Sequence, residues 1–166
     1  MQIFPETDVA ELLGRLVEAE VPGSRGFDAW RSLLRAHATL MRRLDTDLEQ
    51  ATGLALADFD VLAQLAAAHG RLRMTELADR ALISRSGMSR RVARLADGGL
   101  VRRDRAGTDG RGVVVALTKA GTARLAEAAP VHVGGISKLF VAQLDDQELA
   151  LLERTLNKVI VDCSFG

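Results

Sequence analysis

The sequence predicts a mainly α-helical protein with one small β-hairpin, and three observations support that prediction. Apolar residues recur at helical spacing through most of the 166-residue chain. Two short valine-containing segments near residues 100–117 flank a glycine-containing loop, which is typical of a hairpin. The chain holds one cysteine and 48% hydrophobic residues, a composition that fits a globular protein and excludes an intramolecular disulfide framework.

Helical periodicity predicts three helices in the N-terminal part of the chain, at about residues 7–19, 28–50 and 59–68. A turn or linker is expected over residues 21–26, which contain Pro22 and Gly23. Gly53 ends the second helix as a C-terminal glycine signal, and Asp58 is predicted to be the N-cap of the third helix.

Two short helices and the two strands of a hairpin follow, at about residues 74–81, 85–97, 100–105 and 113–117. Thr75 or the residue before it is expected near the N-cap of the first helix, and Ser84 is the expected N-cap of the second. Thr118 caps a long helix that reaches about residue 144, with a kink at Pro130. The last helix starts at Asp145 and continues to about residue 161.

The charges of the chain cancel overall but are unevenly distributed. The 22 Lys and Arg residues balance 22 Asp and Glu residues, and a net charge of zero by itself argues against a nucleic-acid partner. Between Gly70 and Gly112, however, there are eleven arginines and five acidic residues, so this segment carries +6 and the remainder −6. The asymmetry indicates either a polyanionic partner or a solvated arginine-rich surface.

The helix at residues 85–97 has the pattern of a helix that enters a DNA groove. Met88, Val92 and Leu95 form its buried stripe. The opposite face presents small hydroxyls and arginines over its N-terminal half. These residues are Arg85, Ser86, Ser89 and Arg90, with Arg94 on the flank. Arginine bridges guanine O6 and N7, and serine bonds base edges or phosphates. The alternative is an exposed helix whose arginines only make it soluble.

The loop of the hairpin supplies a second element that fits DNA. Arg105 and Arg111 lie at its two ends, and an arginine on a projecting loop can enter a narrow minor groove. Asp109 would repel phosphate unless it pairs with an arginine, most simply Arg111. The alternative is an ordinary turn, because Asp-Gly is a common hairpin connector.

The central segment resembles the winged helix-turn-helix core of the MarR (multiple antibiotic resistance regulator) family of bacterial transcription factors. The residues that carry the resemblance read LRMTELADRALISRSGMSRRVARLADGGLVRRDRAGTDGRGVVVALTKAG, and DGRG followed by VALTKAG is the most specific part. The resemblance covers residues 28–161 in helix order, and the helix before residue 28 is an addition seen only in some members.

The resemblance implies a homodimer held by the first and last long helices of each chain. It also implies a pseudo-palindromic operator and, usually, repression. Ser86, Ser89 and Arg90 match positions that read bases, and Arg111 matches the arginine at the tip of the wing, with Asp109 as its partner. Residues near the DNA backbone are matched by Arg73 and Thr75. The predicted DNA-binding residues are Arg73, Thr75, Ser84, Arg85, Ser86, Ser89, Arg90, Arg94, Arg105, Asp109 and Arg111.

Three parts of the chain follow from this interpretation. Residues 1–52 hold the N-terminal and first dimerisation helices, residues 53–117 form the DNA-binding lobe, and residues 118–166 form the C-terminal dimerisation helices. Periodicity agrees with a dimer independently, because the terminal helices are apolar enough to need a partner. Two recognition helices must also reach major grooves about 34–36 Å apart.

Many members of the family are released by a small aromatic or phenolic ligand, bound between the dimer region and the DNA-binding lobe. His37 interrupts the apolar stripe of the long helix and is the first candidate for such a contact, since imidazole can bond a phenol or carboxylate. The predicted effector-binding residues are Trp30, His37, Met41, Leu65 and His69. The alternative is that His37 is hydrogen-bonded in the core or the dimer interface, and that Trp30 packs in that interface.

Other classes of protein find little support in the sequence. There is no phosphate-binding glycine loop followed by Lys and Ser or Thr, no H-E-x-x-H and no G-x-S-x-G, so no enzyme activity is predicted. Aromatic residues are 4% of the chain, too few for an RNA-stacking surface. An architectural DNA-binding protein or an anti-repressor with the same fold stays an alternative to the repressor.

No cofactor and no metal site are predicted, because three scattered histidines and one cysteine do not form a ligand set. His132 matches a position that is usually structural. Cys163 lies in the tail DCSFG without a basic neighbour that would lower its pKa, so it is not predicted to sense oxidants. The absence of a long apolar run and of a signal peptide predicts a cytoplasmic protein without a membrane partner.

Overall fold

The computed structural model of the chain describes residues 9–21, 23–81, 83–105 and 112–164. The chain divides into two compact units, Met1–Met41 and Arg42–Gly166. The first unit contains helix α1 (Val9–Glu20) and the N-terminal part of helix α2 (Ser24–Thr52). The linker predicted over residues 21–26 is shorter in the structure, because α2 already begins at Ser24. Gly23 precedes it with a φ of +86°, a conformation that glycine adopts without strain.

The second unit begins within α2 and continues to the end of the chain. Its further elements are α3 (Leu56–Ala67), β1 (Arg71–Arg73), α4 (Met74–Arg80), α5 (Arg85–Asp97), β2 (Val101–Arg105), β3 (Val113–Leu117), α6 (Lys119–Leu139), a 3-10 helix (Val141–Gln143) and α7 (Asp146–Ser164). The predicted fold class, mainly helical with a small β-hairpin, is confirmed. Pro130 lies inside α6, but α6 ends earlier than predicted because Phe140 leaves the helical region, with a φ of −125°.

The three strands form one antiparallel sheet in the order β1-β3-β2. Leu72 of β1 and Arg103 of β2 both lie opposite Val115, which is fully buried. β1 was not predicted from the sequence, because its three residues contain a single apolar side chain between two arginines. Pairing with β3, rather than local propensity, makes this segment a strand.

One hydrophobic core supports the second unit. Its largest fully buried side chains come from α2, α3, α4, α5 and β3, and they are Leu48, Val61, Leu62, Leu65, Leu77, Met88, Val92 and Val115. Full burial of a Leu, Val or Met side chain stabilises the fold by about 1.5–3 kcal/mol. The core therefore fixes α5 along its whole length, so that one face of this helix is held inward and the other faces solvent.

Two of the predicted N-caps are confirmed. The Ser84 hydroxyl accepts a hydrogen bond of 3.2 Å from the backbone N–H of Gly87 at the start of α5. The Thr118 hydroxyl accepts one of 3.0 Å from the N–H of Gly121 at the start of α6. Asp145 likewise caps α7, because its carboxylate accepts a hydrogen bond of 2.8 Å from the N–H of Glu148. Each cap satisfies an N–H group that the helix itself leaves without a partner.

One other predicted cap is wrong, and a second lies one residue before the predicted positions. The N-cap position of α3 is Ala55, and Asp58 lies within the first turn of the helix with its side chain buried. The N-cap position of α4 is Arg73, not Thr75 or the residue before it. The carboxylate of Glu76 accepts the Arg73 backbone N–H at 3.0 Å and so satisfies this end of α4 from inside the helix.

Candidate nucleic-acid interface

The outer face of α5 has the composition predicted from its sequence. Met88 and Val92 are fully buried and Leu95 is 3% exposed, so these three residues form the inner stripe of the helix. On the opposite side four polar residues of the N-terminal half are exposed, namely Arg85, Ser86, Ser89 and Arg90. The structure thus brings two arginines and two hydroxyls together on one turn-and-a-half of exposed helix.

The N-terminus of α5 adds backbone donors to this face. The Ser84 hydroxyl accepts from Gly87, and it also lies 3.3 Å from the hydroxyl of Ser86. The first N–H groups of a helix and its macrodipole attract anions such as phosphate. Ser84 was predicted as a DNA-binding residue and as an N-cap, and the structure accounts for its hydroxyl through the cap.

Two further arginines of α5 are directed towards α3 and contact Asp58. Arg94 contacts both carboxylate oxygens, with Nη2 2.6 Å from Oδ1 and Nε 3.3 Å from Oδ2. The Nη1 atom of Arg91 lies 3.1 Å from Oδ1. Arg94 was predicted as a DNA-binding residue, and its guanidinium has a protein partner while its side chain stays 60% exposed.

The other predicted contact residues of the helix-turn-helix are exposed. Arg73 and Thr75 lie at the start of α4 with exposed side chains. On the neighbouring sheet, the Asp104 carboxylate is 3.1 Å from Nε of Arg102 and 3.8 Å from Nη2 of Arg71. These ion pairs are largely exposed, and such pairs stabilise a fold by about 0–1 kcal/mol. Their arginines are therefore not strongly held by Asp104.

The predicted wing is present as the pair of strands β2 and β3. Arg105 ends β2, and its backbone pairs with Val113 at the start of β3. Asp109 and Arg111, which were predicted to contact DNA or shape the loop, lie outside the described residues, as does the side chain of Arg105. The register fixes where the loop leaves the sheet and where it returns.

The predicted effector-binding residues have different environments. Trp30 is 53% exposed and Met41 38% exposed, and His37 is exposed as well. His69 is also exposed, in the turn after α3, with a φ of +56°. Leu65 is fully buried in the core of the second unit, which gives it a packing role. A common effector site for these residues stays a prediction.

A small polar cluster around α3 was not found from the sequence. The rings of Phe59 and His132 are 4.6 Å apart, and Nδ1 of His132 and Nε of Arg91 are buried without a hydrogen-bond partner in the described part of the chain. Asp60 lies on the exposed side of α3, yet desolvation by neighbouring protein atoms raises the pKa of its carboxyl, while the charges of His132 and Arg91 lower it.

The sequence did contain a signal for the buried Asp58. Asp58, Leu62 and Leu65 lie at i, i+4 and i+7, so the carboxylate shares the inward face of α3 with two core leucines. A carboxylate on a buried face requires a cationic partner, because burial of an unpaired charge is costly. Because aspartate is also a common N-cap residue, its position before the predicted third helix led to that assignment.

Two classes of site find no support within the described residues. There is no group of three or more His, Cys, Asp or Glu side chains there that could hold a metal ion. Among the same residues, no helix has the length and hydropathy needed to cross a bilayer.

The chain is similar to several known proteins. A family model described as the MarR family matches residues 52–112, which run from the end of α2 to the hairpin. The structure is similar to AbsC, a MarR family transcriptional regulator from Streptomyces coelicolor. The two are 30% identical with a TM-score of 0.78, over 83% of this chain and 93% of AbsC.

Two further solved structures contain DNA. Sco3205, a MarR family transcriptional regulator from Streptomyces coelicolor in complex with DNA, is 34% identical with a TM-score of 0.78. The match covers 83% of this chain and 87% of Sco3205. A mutant of MarR from E. coli, complexed with operator DNA, is 26% identical with a TM-score of 0.73, over 87% of this chain and 97% of that one.

Proposed function

Because the chain belongs to the MarR family of transcriptional regulators, we propose that it binds a pseudo-palindromic operator as a homodimer, represses the genes there and is released by a small effector. The members of this family are regulators of transcription rather than enzymes. The observation that carries the proposal is the exposed face of α5, with Arg85, Ser86, Ser89 and Arg90 above a buried apolar stripe.

The proposed division of labour follows from the chemistry of these side chains. Arg90 and Arg85 carry forked donors that match guanine in the major groove, and the two serines bond base edges or phosphates. Arg73 and Thr75 are proposed to contact the DNA backbone. The wing residues Arg105, Asp109 and Arg111 are proposed from the sequence alone to reach the minor groove.

Selection of bound sequences from random duplexes tests this function most directly. The expected result is one inverted repeat, bound with a Kd in the nanomolar range at physiological salt and much more weakly as salt rises. Equal affinity for the selected and a scrambled duplex would instead indicate an architectural DNA-binding protein. Transcription in vitro from a promoter that carries the selected repeat then distinguishes a repressor from an activator.

The homodimer is supported by apolar surface that one chain leaves exposed. On α7, Val159 and Val161 are each 53% exposed and Leu151 is 54% exposed, while Val133 of α6 is 60% exposed. Large apolar side chains exposed in this number on terminal helices are expected to pack against a partner. Sedimentation equilibrium should give twice the mass of one chain, and one half of the inverted repeat should bind far more weakly than the whole. A monomer at micromolar concentration would contradict the proposal.

The effector is proposed to be a small aromatic acid or phenol that contacts Trp30 and His37. Both side chains are exposed on α2, and they lie seven residues apart, which places them on one helix face. A thermal-shift screen of aromatic acids with the parent and His37→Ala tests this contact. A ligand that stabilises the parent should stabilise His37→Ala less. Equal shifts for parent and His37→Ala would exclude His37 from the site.

A further inference from the structure

A network of one carboxylate and two arginines joins α5 to α3. Asp58 accepts hydrogen bonds from two arginines of α5, Arg91 and Arg94, and the three distances are 2.6, 3.1 and 3.3 Å. We name this group the Asp58 clamp. Its arginines are three residues apart in sequence, so they extend from neighbouring positions on one side of the helix.

The burial of the Asp58 clamp is uneven. The Asp58 side chain is 11% exposed and that of Arg91 is 23% exposed, whereas that of Arg94 is 60% exposed. Release of Arg94 to a DNA phosphate would leave a buried carboxylate with one partner fewer. Because attraction between charges is stronger at a buried carboxylate than in water, we expect the guanidinium to stay on Asp58.

The Asp58 clamp also changes the charge that α5 offers to DNA. Arg85 and Arg90 have no protein ion-pair partner within the described residues, while Arg91 and Arg94 share one carboxylate. Contacts between arginine and phosphate raise affinity for every DNA sequence and carry no base information. Four unpaired arginines on α5 would therefore strengthen binding to non-operator DNA. With only two unpaired arginines, the affinity for non-operator DNA is lower, so base contacts make a larger relative contribution.

From these observations we propose that Asp58 is a specificity-determining residue, which acts by withholding Arg91 and Arg94 from DNA phosphates. The inference rests on the proposed DNA-reading role of α5. It assigns Asp58 a function in binding although the carboxylate faces the protein interior. It also removes Arg94 from the predicted DNA contacts, which leaves Arg85 and Arg90 as the arginines of α5 that reach the groove.

The test compares Asp58→Asn with Asp97→Asn, using the full chain. Both variants lose one negative charge, and Asp97 lies on α5 itself without an ion pair in the described part of the chain. Binding to the selected operator and to a scrambled duplex is measured over a range of salt concentrations. Each added phosphate contact steepens the plot of log K against log salt by about 0.9.

Asp58→Asn is expected to bind the scrambled duplex about tenfold more tightly than Asp97→Asn does, with a salt slope steeper by about 1–2. The ratio of operator to scrambled affinity should fall by a similar factor. Equal slopes and equal ratios for the two variants would overturn the proposal. If the parent itself shows no sequence preference, the proposed regulator function fails, while the slopes on scrambled DNA still decide whether Asp58 withholds arginines.

If circular dichroism shows that Asp58→Asn does not fold, Arg94→Gln tests whether Asp58 withholds Arg94 from DNA phosphates. The variant keeps Asp58 paired with Arg91. The salt slope on the scrambled duplex should then change by less than about 0.3, because a withheld arginine releases no counterions. A slope shallower by about 0.9 would show that Arg94 contacts phosphate and would overturn the proposal. In the folded double variant Asp58→Asn with Arg94→Gln, part of the lost specificity should return.

Discussion

The carboxylate of Asp45, on α2, accepts a hydrogen bond of 2.7 Å from the backbone N–H of Leu56, the first residue of α3. The N-cap position of α3 is Ala55, whose side chain has no oxygen to offer. A residue eleven positions earlier therefore performs the capping that a local serine or aspartate performs at other helices. The contact also ties the end of α2 to the start of the DNA-binding lobe.

Asp45→Ala is expected to lower the free energy of unfolding by about 1 kcal/mol, because one N–H at the start of α3 loses its partner. Urea denaturation measures the change. The matched control is Asp47→Ala on the same helix, whose ion pair with Arg43 is largely exposed and should contribute less than about 0.5 kcal/mol. Equal losses for the two variants would contradict a capping role for Asp45.

Gly121→Ala is expected to destabilise the fold by about 3 kcal/mol or more. A Cβ at this position would lie 2.0 Å from the carbonyl oxygen of Leu100, which is backbone and cannot rotate away. The control is Gly98→Ala, where the nearest atom is 3.6 Å away and φ is −78°, so alanine fits. That variant should be neutral or more stable by about 0.4–1 kcal/mol. If thermal unfolding showed only a small loss of stability for Gly121→Ala, the close approach of the α6 N-terminus to Leu100 would be contradicted.

Arg90→Ala is expected to weaken operator binding by about 1–3 kcal/mol and to relax the preference at one base position. Titration of fluorescent duplexes, substituted at each operator position in turn, measures both effects. Arg154→Ala removes the same charge from the exposed surface of α7 and should leave the base preferences as they are in the parent. A uniform loss over all duplexes with Arg90→Ala would make Arg90 a phosphate contact and not a base contact.

Asp60→Asn is expected to increase stability near pH 7. Although Asp60 lies on the exposed side of α3, desolvation by neighbouring protein atoms raises the pKa of its carboxyl above the ordinary value of 3.8. The folded state therefore binds more protons there than the unfolded state. The contribution of Asp60 to the free energy of unfolding of the parent therefore falls as pH rises from below 3.8 through the folded pKa. It is constant at higher pH. Asp60→Asn removes this contribution, which unfolding titrations from pH 3 to 7 would detect.

The control for Asp60 is Asp79→Asn, an exposed position on α4. Its effect should stay within about 0.5 kcal/mol at every pH. If Asp60→Asn were less stable than the parent at pH 7, attraction to His132 and Arg91 would outweigh the desolvation of Asp60.

Local signals predicted the reading helix well. The predicted range of residues 85–97, with Ser84 as cap and Met88, Val92 and Leu95 as buried stripe, matches the observed α5. These signals act within one or two turns, and no distant contact opposes them. The same holds for Thr118 and α6, where the cap and its partner are three residues apart.

Long-range partners explain what the sequence did not predict. The role of Asp58 depends on arginines 33 and 36 residues away, and no local rule distinguishes such a carboxylate from a cap. β1 is a strand because Leu72 lies opposite Val115. The cap of α3 was assigned to the wrong aspartate for a similar reason, since Asp45 belongs to another helix.

Because β3, the strand that contains Val115, pairs with both other strands, the DNA-binding lobe can be completed only after β3 has been synthesised. α5 ends at Asp97, but the strand that pairs with both β1 and β2 follows it in the chain. β1 is thus synthesised about 40 residues before its partner, and β1 and β2 have no strand to pair with until β3 has left the ribosome. A truncated chain that ends after α5 would hold the complete reading helix without the sheet that finishes its lobe.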